Sequence, residues 1–131
     1  NNREGKIMSL LLDEIATMPS LLLNTPLPDE PRLARLCRQL IENPSLSIDI
    51  NKMATEAGMS RRTFTRVFRA QTGVSFSEWR QQACLLAAIT RLNNGESVTR
   101  VALDLGYGSS SAFTALFRRV LGVPPSLYLE K

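Results

Sequence analysis

The sequence contains no histidine. Ser–His and Cys–His catalytic pairs are therefore excluded, because the base that would activate the nucleophile is absent. Cysteine is scarce: Cys37 and Cys84 lie far apart, each inside an apolar pattern. They leave no ordinary zinc ligand set and are expected to be buried free thiols in a reducing compartment. The acids Asp29, Asp49, Glu56, Glu78 and Asp104 are scattered, with no paired cluster for metal or strand-transfer chemistry. No enzyme activity, cofactor or metal is expected. No apolar run approaches the roughly 18 residues of a membrane span. The longest, at Leu21-Leu22-Leu23, is broken by Asn24 and Pro26. The chain opens Asn1-Asn2-Arg3-Glu4 without methionine or a signal-peptide pattern, so a piece of a longer cytoplasmic protein is expected.

Hydrophobic residues make up 44% of the 131 positions, enough for a real core. Net charge is +4, and 13 of the 16 basic residues are arginine, whose planar fork suits phosphates and base edges. The excess is local. From Arg61 to Arg80 there are five arginines against one acid, Glu78, while the remainder holds eleven bases and eleven acids.

The periodicity is helical throughout, so an all-α fold is expected. Ile7, Leu10, Leu11, Ile15 and Met18 form a stripe that ends near Pro19. The proline-rich stretch 24–30 reads as a linker. Pro31 suits the first turn of a helix reaching about Asn43, with Leu33, Leu36, Cys37, Leu40 and Ile41 on one face. A short helix and a longer one follow over 50–72, then a long helix over 76–93 whose middle is apolar all round. Residues 98–121 repeat the short-then-long pattern, and Pro124-Pro125 open a last short helix.

That repetition is written in identities. Ala54 and Gly58 match Ala102 and Gly106 at an offset of 48, after which one residue is inserted. Ser60, Phe64, Phe68, Gly73, Val74 and Ser77 then match Ser109, Phe113, Phe117, Gly122, Val123 and Ser126 at an offset of 49. Trp79 meets Tyr128 at the same offset, and both are expected to anchor the core. The small alanine lets two helices cross closely, and the glycine permits a left-handed turn between them. The two phenylalanines, spaced i,i+4, pin the second helix.

The opposite face of each second helix stays polar. Arg61, Arg62, Thr65, Arg66 and Arg69 occupy it in the first unit; Ser110, Ser111, Thr114, Arg118 and Arg119 occupy it in the second. This is the pattern of a helix-turn-helix, whose second helix enters a major groove of double-stranded DNA. A connecting helix of 18 residues spans about 27 Å against a groove repeat of roughly 34 Å, so a bent duplex, or full engagement of one unit, is expected.

The motifs Met53-Ala54, Gly58-Met59-Ser60-Arg61-Arg62-Thr63-Phe64, Phe68 and Thr72-Gly73 resemble the first helix-turn-helix of the AraC/XylS transcription regulators. Val101-Ala102, Leu105-Gly106-Tyr107, Phe113, Phe117, Gly122-Val123-Pro124-Pro125 and Tyr128 resemble the second. The resemblance covers residues 30–130 and implies about seven helices in two subdomains joined by the central one. It assigns base contacts to Arg62, Thr65 and Arg66, and in the second unit to Ser110, Ser111, Thr114 and Ala115. Ala115 departs from relatives with a long polar side chain there, which implies weaker readout by the second unit. The resemblance further implies that residues 1–23 are the last helix of an effector-sensing domain. Dimerisation through that domain, and RNA polymerase as a partner, follow from the same source.

Ser60, Arg61, Arg69 and Arg118 are expected to meet phosphates and set register. Arg80 and Arg91 on the long helix are either phosphate contacts or solvated. Two rival classes stand beside DNA reading. A helix-turn-helix interaction module without DNA contact predicts no salt-dependent duplex binding, and the arginines around Arg66 argue against it. An enzyme acting on nucleic acid lacks its nucleophile and metal carboxylates.

Overall fold

The computed structural model describes residues 24–129. The sequence stripe over residues 7–18, with its expected helix, lies outside the described residues. Six α-helices follow one another: α1 Pro31–Glu42, α2 Ile50–Glu56, α3 Arg61–Thr72, α4 Phe76–Asn93, α5 Val98–Asp104 and α6 Ser110–Leu121. A 3-10 helix over Pro125–Leu129 is the seventh helical element. No strand occurs among the described residues.

Local chemistry sets the boundaries. The side chains of Glu30, Asp49, Ser60, Ser75, Ser97 and Ser109 each accept an N–H from the first turn of the helix they precede. Ser75 and Glu78 complete a reciprocal capping box on α4. Gly73 and Gly122, at φ +85° and +81°, close α3 and α6 in the left-handed conformation.

There are two cores, and α4 feeds both. Phe76, Trp79 and Ala83 join Leu33, Leu36, Cys37, Leu40, Met53, Ala54, Phe64 and Phe68 in the first. Leu85, Ala88 and Leu92 join Val101, Ala102, Leu105, Tyr107, Phe113, Phe117 and Leu121 in the second. The apolar middle of α4 is thus buried on more than one side.

The internal repeat is visible atom by atom. In the first unit the Gly58 N–H donates to Thr55 O and the Met59 N–H to Ala54 O, at 3.0 and 2.9 Å. In the second, Gly106 N–H donates to Leu103 O and Tyr107 N–H to Ala102 O, at 3.1 and 3.0 Å. Gly58 and Gly106 have φ +72° and +95°. Both phenylalanine pairs place their rings 5.5 Å apart. Trp79 packs edge-on against Phe68, and Tyr128 against Phe117. Buried Pro125 stands at the repeat position of Phe76, so the 3-10 helix is the second unit's short version of the start of α4.

Three sequence expectations change. Ile41 is 41% exposed rather than on the packed face of α1, because that face already ends at Leu40. The stretch 24–30 is no free spacer: Pro28 is buried, the Trp79 indole N–H donates to Pro26 O at 2.9 Å, and the Glu30 N–H donates to Gln71 Oε1 at 2.8 Å. Arg80 and Arg91 are not merely solvated. Arg80 donates to the Ile48 carbonyl at 2.6 Å and lies over the Phe76 ring, while Arg91 bridges Glu96 and Asp104.

Candidate nucleic-acid interface

The geometry of α3 follows from its anchors. With Phe64 and Phe68 at 0% and 1% exposure and Val67 packed beside them, the face opposite this stripe points outward. Arg61, Arg62, Thr65, Arg66 and Arg69 are all exposed, and the first four line one open concavity. Among the described residues none of these arginines has an ion-pair partner. Arg32 is held by Glu30, Arg91 by Glu96 and Asp104, and Arg100 by Asp104, whereas Arg35, Arg38, Arg118 and Arg119 share the unpaired state among the described residues.

Arg61 and Arg62 sit in the first turn of α3, and that turn contains no acid. The positive end of a helix dipole disfavours cations, at roughly 0.3–1 kcal/mol each where exposed. Fold stability would place acids there, as α4 does with Glu78. Two arginines at this end instead concentrate positive potential where backbone amides already point outward, an arrangement that favours an anionic partner. Sequence reasoning found these residues but missed this second signal, which was readable once Ser60 was recognised as the cap. The Ser60 hydroxyl oxygen accepts the Thr63 N–H at 3.1 Å, leaving its own hydrogen free to donate.

The second unit offers less. On α6, Ser111, Ala112, Ala115, Arg118 and Arg119 are exposed, whereas Ser110 and Thr114 are half-buried. Its cap repeats that of α3, with Ser109 Oγ accepting the Ala112 N–H at 3.1 Å. No charge occupies its first turn; Arg118 and Arg119 lie in the last. The two recognition-type faces therefore share a backbone and differ in chemistry.

Both cysteines are free and buried, and burial pushes their thiols up, to about 12 for Cys37 and about 11 for Cys84. No group of His, Cys, Asp or Glu among the described residues has the arrangement of a metal site. No described helix is long and apolar enough to cross a membrane. Of the acids named from the sequence, Asp104 comes together with one not named there, Glu96, and Arg91 lies between them and holds both carboxyls below their usual range.

Residues 53–131 match a family described as a helix-turn-helix domain. The regulatory protein SoxS of Salmonella typhimurium is 36% identical over 92 residues, 70% of this chain and 83% of SoxS. The chain belongs to the AraC-type helix-turn-helix regulators. The transcriptional regulator NimR of Escherichia coli is 31% identical over 126 residues, covering 96% of this chain and 46% of NimR. The chain thus spans under half the length of that relative. Among solved structures, the DNA-binding domain of AdpA in complex with a target DNA superposes with a TM-score of 0.69 at 35% identity. That match covers 75% of this chain and 89% of the AdpA chain. The AraC-type architecture of two helix-turn-helix units on one all-helical scaffold is confirmed by these neighbours.

Proposed function

We propose that this chain is the sequence-specific DNA-binding part of a transcription regulator, laying α3 and α6 in adjacent major grooves of one duplex. The observation that carries this reading is the exposed face of α3, with four arginines that have no ion-pair partner among the described residues, two of them at the positive end of the helix. Arg62 and Arg66 read bases, since a guanidinium bonds both O6 and N7 of guanine, and Thr65 touches a neighbouring base edge. Ser60, Arg61, Arg69 and Arg118 hold phosphates. Ser110, Ser111 and Thr114 give the second unit a weaker, small-residue readout, with Ala115 adding contact but no hydrogen bond.

NimR is longer than this chain, which supports an effector-sensing and dimerising part joined before Asn24. RNA polymerase is the further partner we assign to the whole regulator. The test is selection from a randomised duplex library at two salt concentrations. Enrichment of two half-motifs about one helical turn apart supports both units as readers. One short motif would leave α3 alone as reader. Absence of duplex binding at either salt would overturn the proposal in favour of a protein-interaction module.

A further inference from the structure

The two units share α4, and the loop between α1 and α2 joins them a second time. That loop changes core within a few residues. Leu46 packs against the second core, whereas Ile48 and Ile50 pack against the first. The Leu46 N–H donates to the Leu105 carbonyl at 2.9 Å, at the turn that leads into α6. Contact there is close: a Cβ placed on Gly106 would lie 3.2 Å from the Leu46 nitrogen and 3.4 Å from Ser45 Oγ.

The loop is braced at both ends. Ser45 Oγ accepts the Ser47 N–H at 3.1 Å, and the two hydroxyls lie 2.8 Å apart, closing a turn around Leu46. Beyond it, Arg80 donates to the Ile48 carbonyl at 2.6 Å and holds the loop to the first half of α4. Units joined through one small contact move relative to one another, and a second contact off the line of the first suppresses that motion.

On DNA such motion has a definite consequence. One base pair added between two half-motifs moves the second major groove by about 3.4 Å along the duplex and about 35° around it. Units free to rotate about α4 follow that change, and units held at two points resist it. We infer that Leu46 is a positioning residue for DNA recognition, outside both recognition faces. Through the second core and the Leu105 carbonyl it fixes α6 relative to α3, and so selects the spacing between half-motifs. This role rests on the reading in which both units engage one duplex.

The test compares the 131-residue chain with its Leu46→Ala and Arg80→Met variants. The duplexes carry both half-motifs at the selected spacing, or with one base pair added or removed. The native chain should prefer the selected spacing by about tenfold. Leu46→Ala should reduce that preference to about twofold, with affinity for a single half-motif unchanged. Arg80→Met, which releases the other end of the loop, should act in the same direction. Circular dichroism checks both variants, and Arg80→Met decides alone if Leu46→Ala loses its helices. A full preference kept by the folded variants would overturn the inference. Equal binding of the native chain at all three spacings would overturn it too, while leaving DNA binding intact. A native chain that binds no duplex would instead sink the proposed function, and the spacing role with it.

A second readout needs no DNA. Asn51 on α2 and Thr99 on α5 are exposed, and native Cys37 and Cys84 are fully buried. Spin labels therefore attach at Asn51→Cys and Thr99→Cys alone. The distribution of distances between them should broaden when Leu46→Ala is added. An unchanged distribution would refute a placing role for Leu46.

Discussion

The Leu46 N–H donates to the Leu105 carbonyl at 2.9 Å, tying the loop after α1 in the first unit to the turn of the second helix-turn-helix. The Leu46 side chain packs into the second core although its chain neighbours serve the first. On the other side, Arg80 of α4 holds the same loop at Ile48. The loop is a strut between the two units, independent of the axis of α4.

Gly106→Ala should destabilise the protein more than Gly73→Ala. Both glycines have positive φ, which costs an L side chain about 1–2 kcal/mol. At Gly106 an added Cβ also comes within 3.2 Å of the Leu46 backbone nitrogen, whereas nothing lies within 4 Å at Gly73. Urea denaturation of the two variants measures the difference; equal losses would mean that the strut yields freely.

Arg66→Ala is expected to cost about 1–3 kcal/mol on the selected site and to relax preference at one base position. Arg69→Ala should weaken specific and random duplexes alike and flatten the salt dependence by about one phosphate contact. Titrations on both duplexes at several salt concentrations separate the two. Identical losses on random DNA for Arg66→Ala would rule it out as a base reader.

Ser111→Ala combined with Thr114→Ala should weaken binding less than Arg66→Ala alone. Thr114 is half-buried where its counterpart Thr65 is exposed, and neither residue brings charge to the groove. A larger loss from the serine–threonine pair would reverse the proposed ranking of the two units.

Arg80→Met removes the donor to Ile48 O and leaves a carbonyl without its partner. A loss of about 1–3 kcal/mol in stability is expected. The salt dependence of DNA binding should stay unchanged, since the guanidinium faces the loop and the Phe76 ring. A shallower salt slope would return Arg80 to the phosphate contacts.

Burial raises both thiols from an ordinary value of 9.0, so the folded state holds protons that the unfolded chain releases. Their contribution to stability is complete below pH 9 and declines as pH rises toward 11, by about 1 kcal/mol per pH unit for each thiol. Tyr107 and Tyr128, also raised by burial, add to the decline at higher pH. Denaturation between pH 8 and 11 reads this slope. At pH 8 neither cysteine should react with a thiol reagent until the protein unfolds.

Much of this was legible in the sequence because the repeat constrains both copies. Ala54, Gly58, Phe64 and Phe68 reappear as Ala102, Gly106, Phe113 and Phe117, and a pattern of that kind has few structural solutions. The arginine face on α3 was legible for the same reason: once the phenylalanines are core, the opposite face of the helix is surface. What periodicity could not reveal are contacts between residues distant in sequence. Arg80 looks like any surface cation until Ile48 is placed beside it. Residues 24–30 look like a spacer because proline blocks a helix, yet proline leaves the carbonyl of Pro26 free to accept from Trp79. Ile41 continues a helical stripe that the core stops using one residue earlier.

The hand-over of α4 from one core to the other, between Ala83 and Leu85, also bears on inheritance. The repeat suggests two interchangeable parts, but the boundary between them falls inside a single unbroken helix. A recognition unit transplanted between relatives must bring its own half of that helix and a matching strut residue at Leu46. Chimaeras joined at the apparent boundary near Asn93 would separate α5 and α6 from the residues that complete their core. In a regulator of this type, new DNA specificity is therefore more accessible by changing the surface of α3 or α6 than by exchanging whole units.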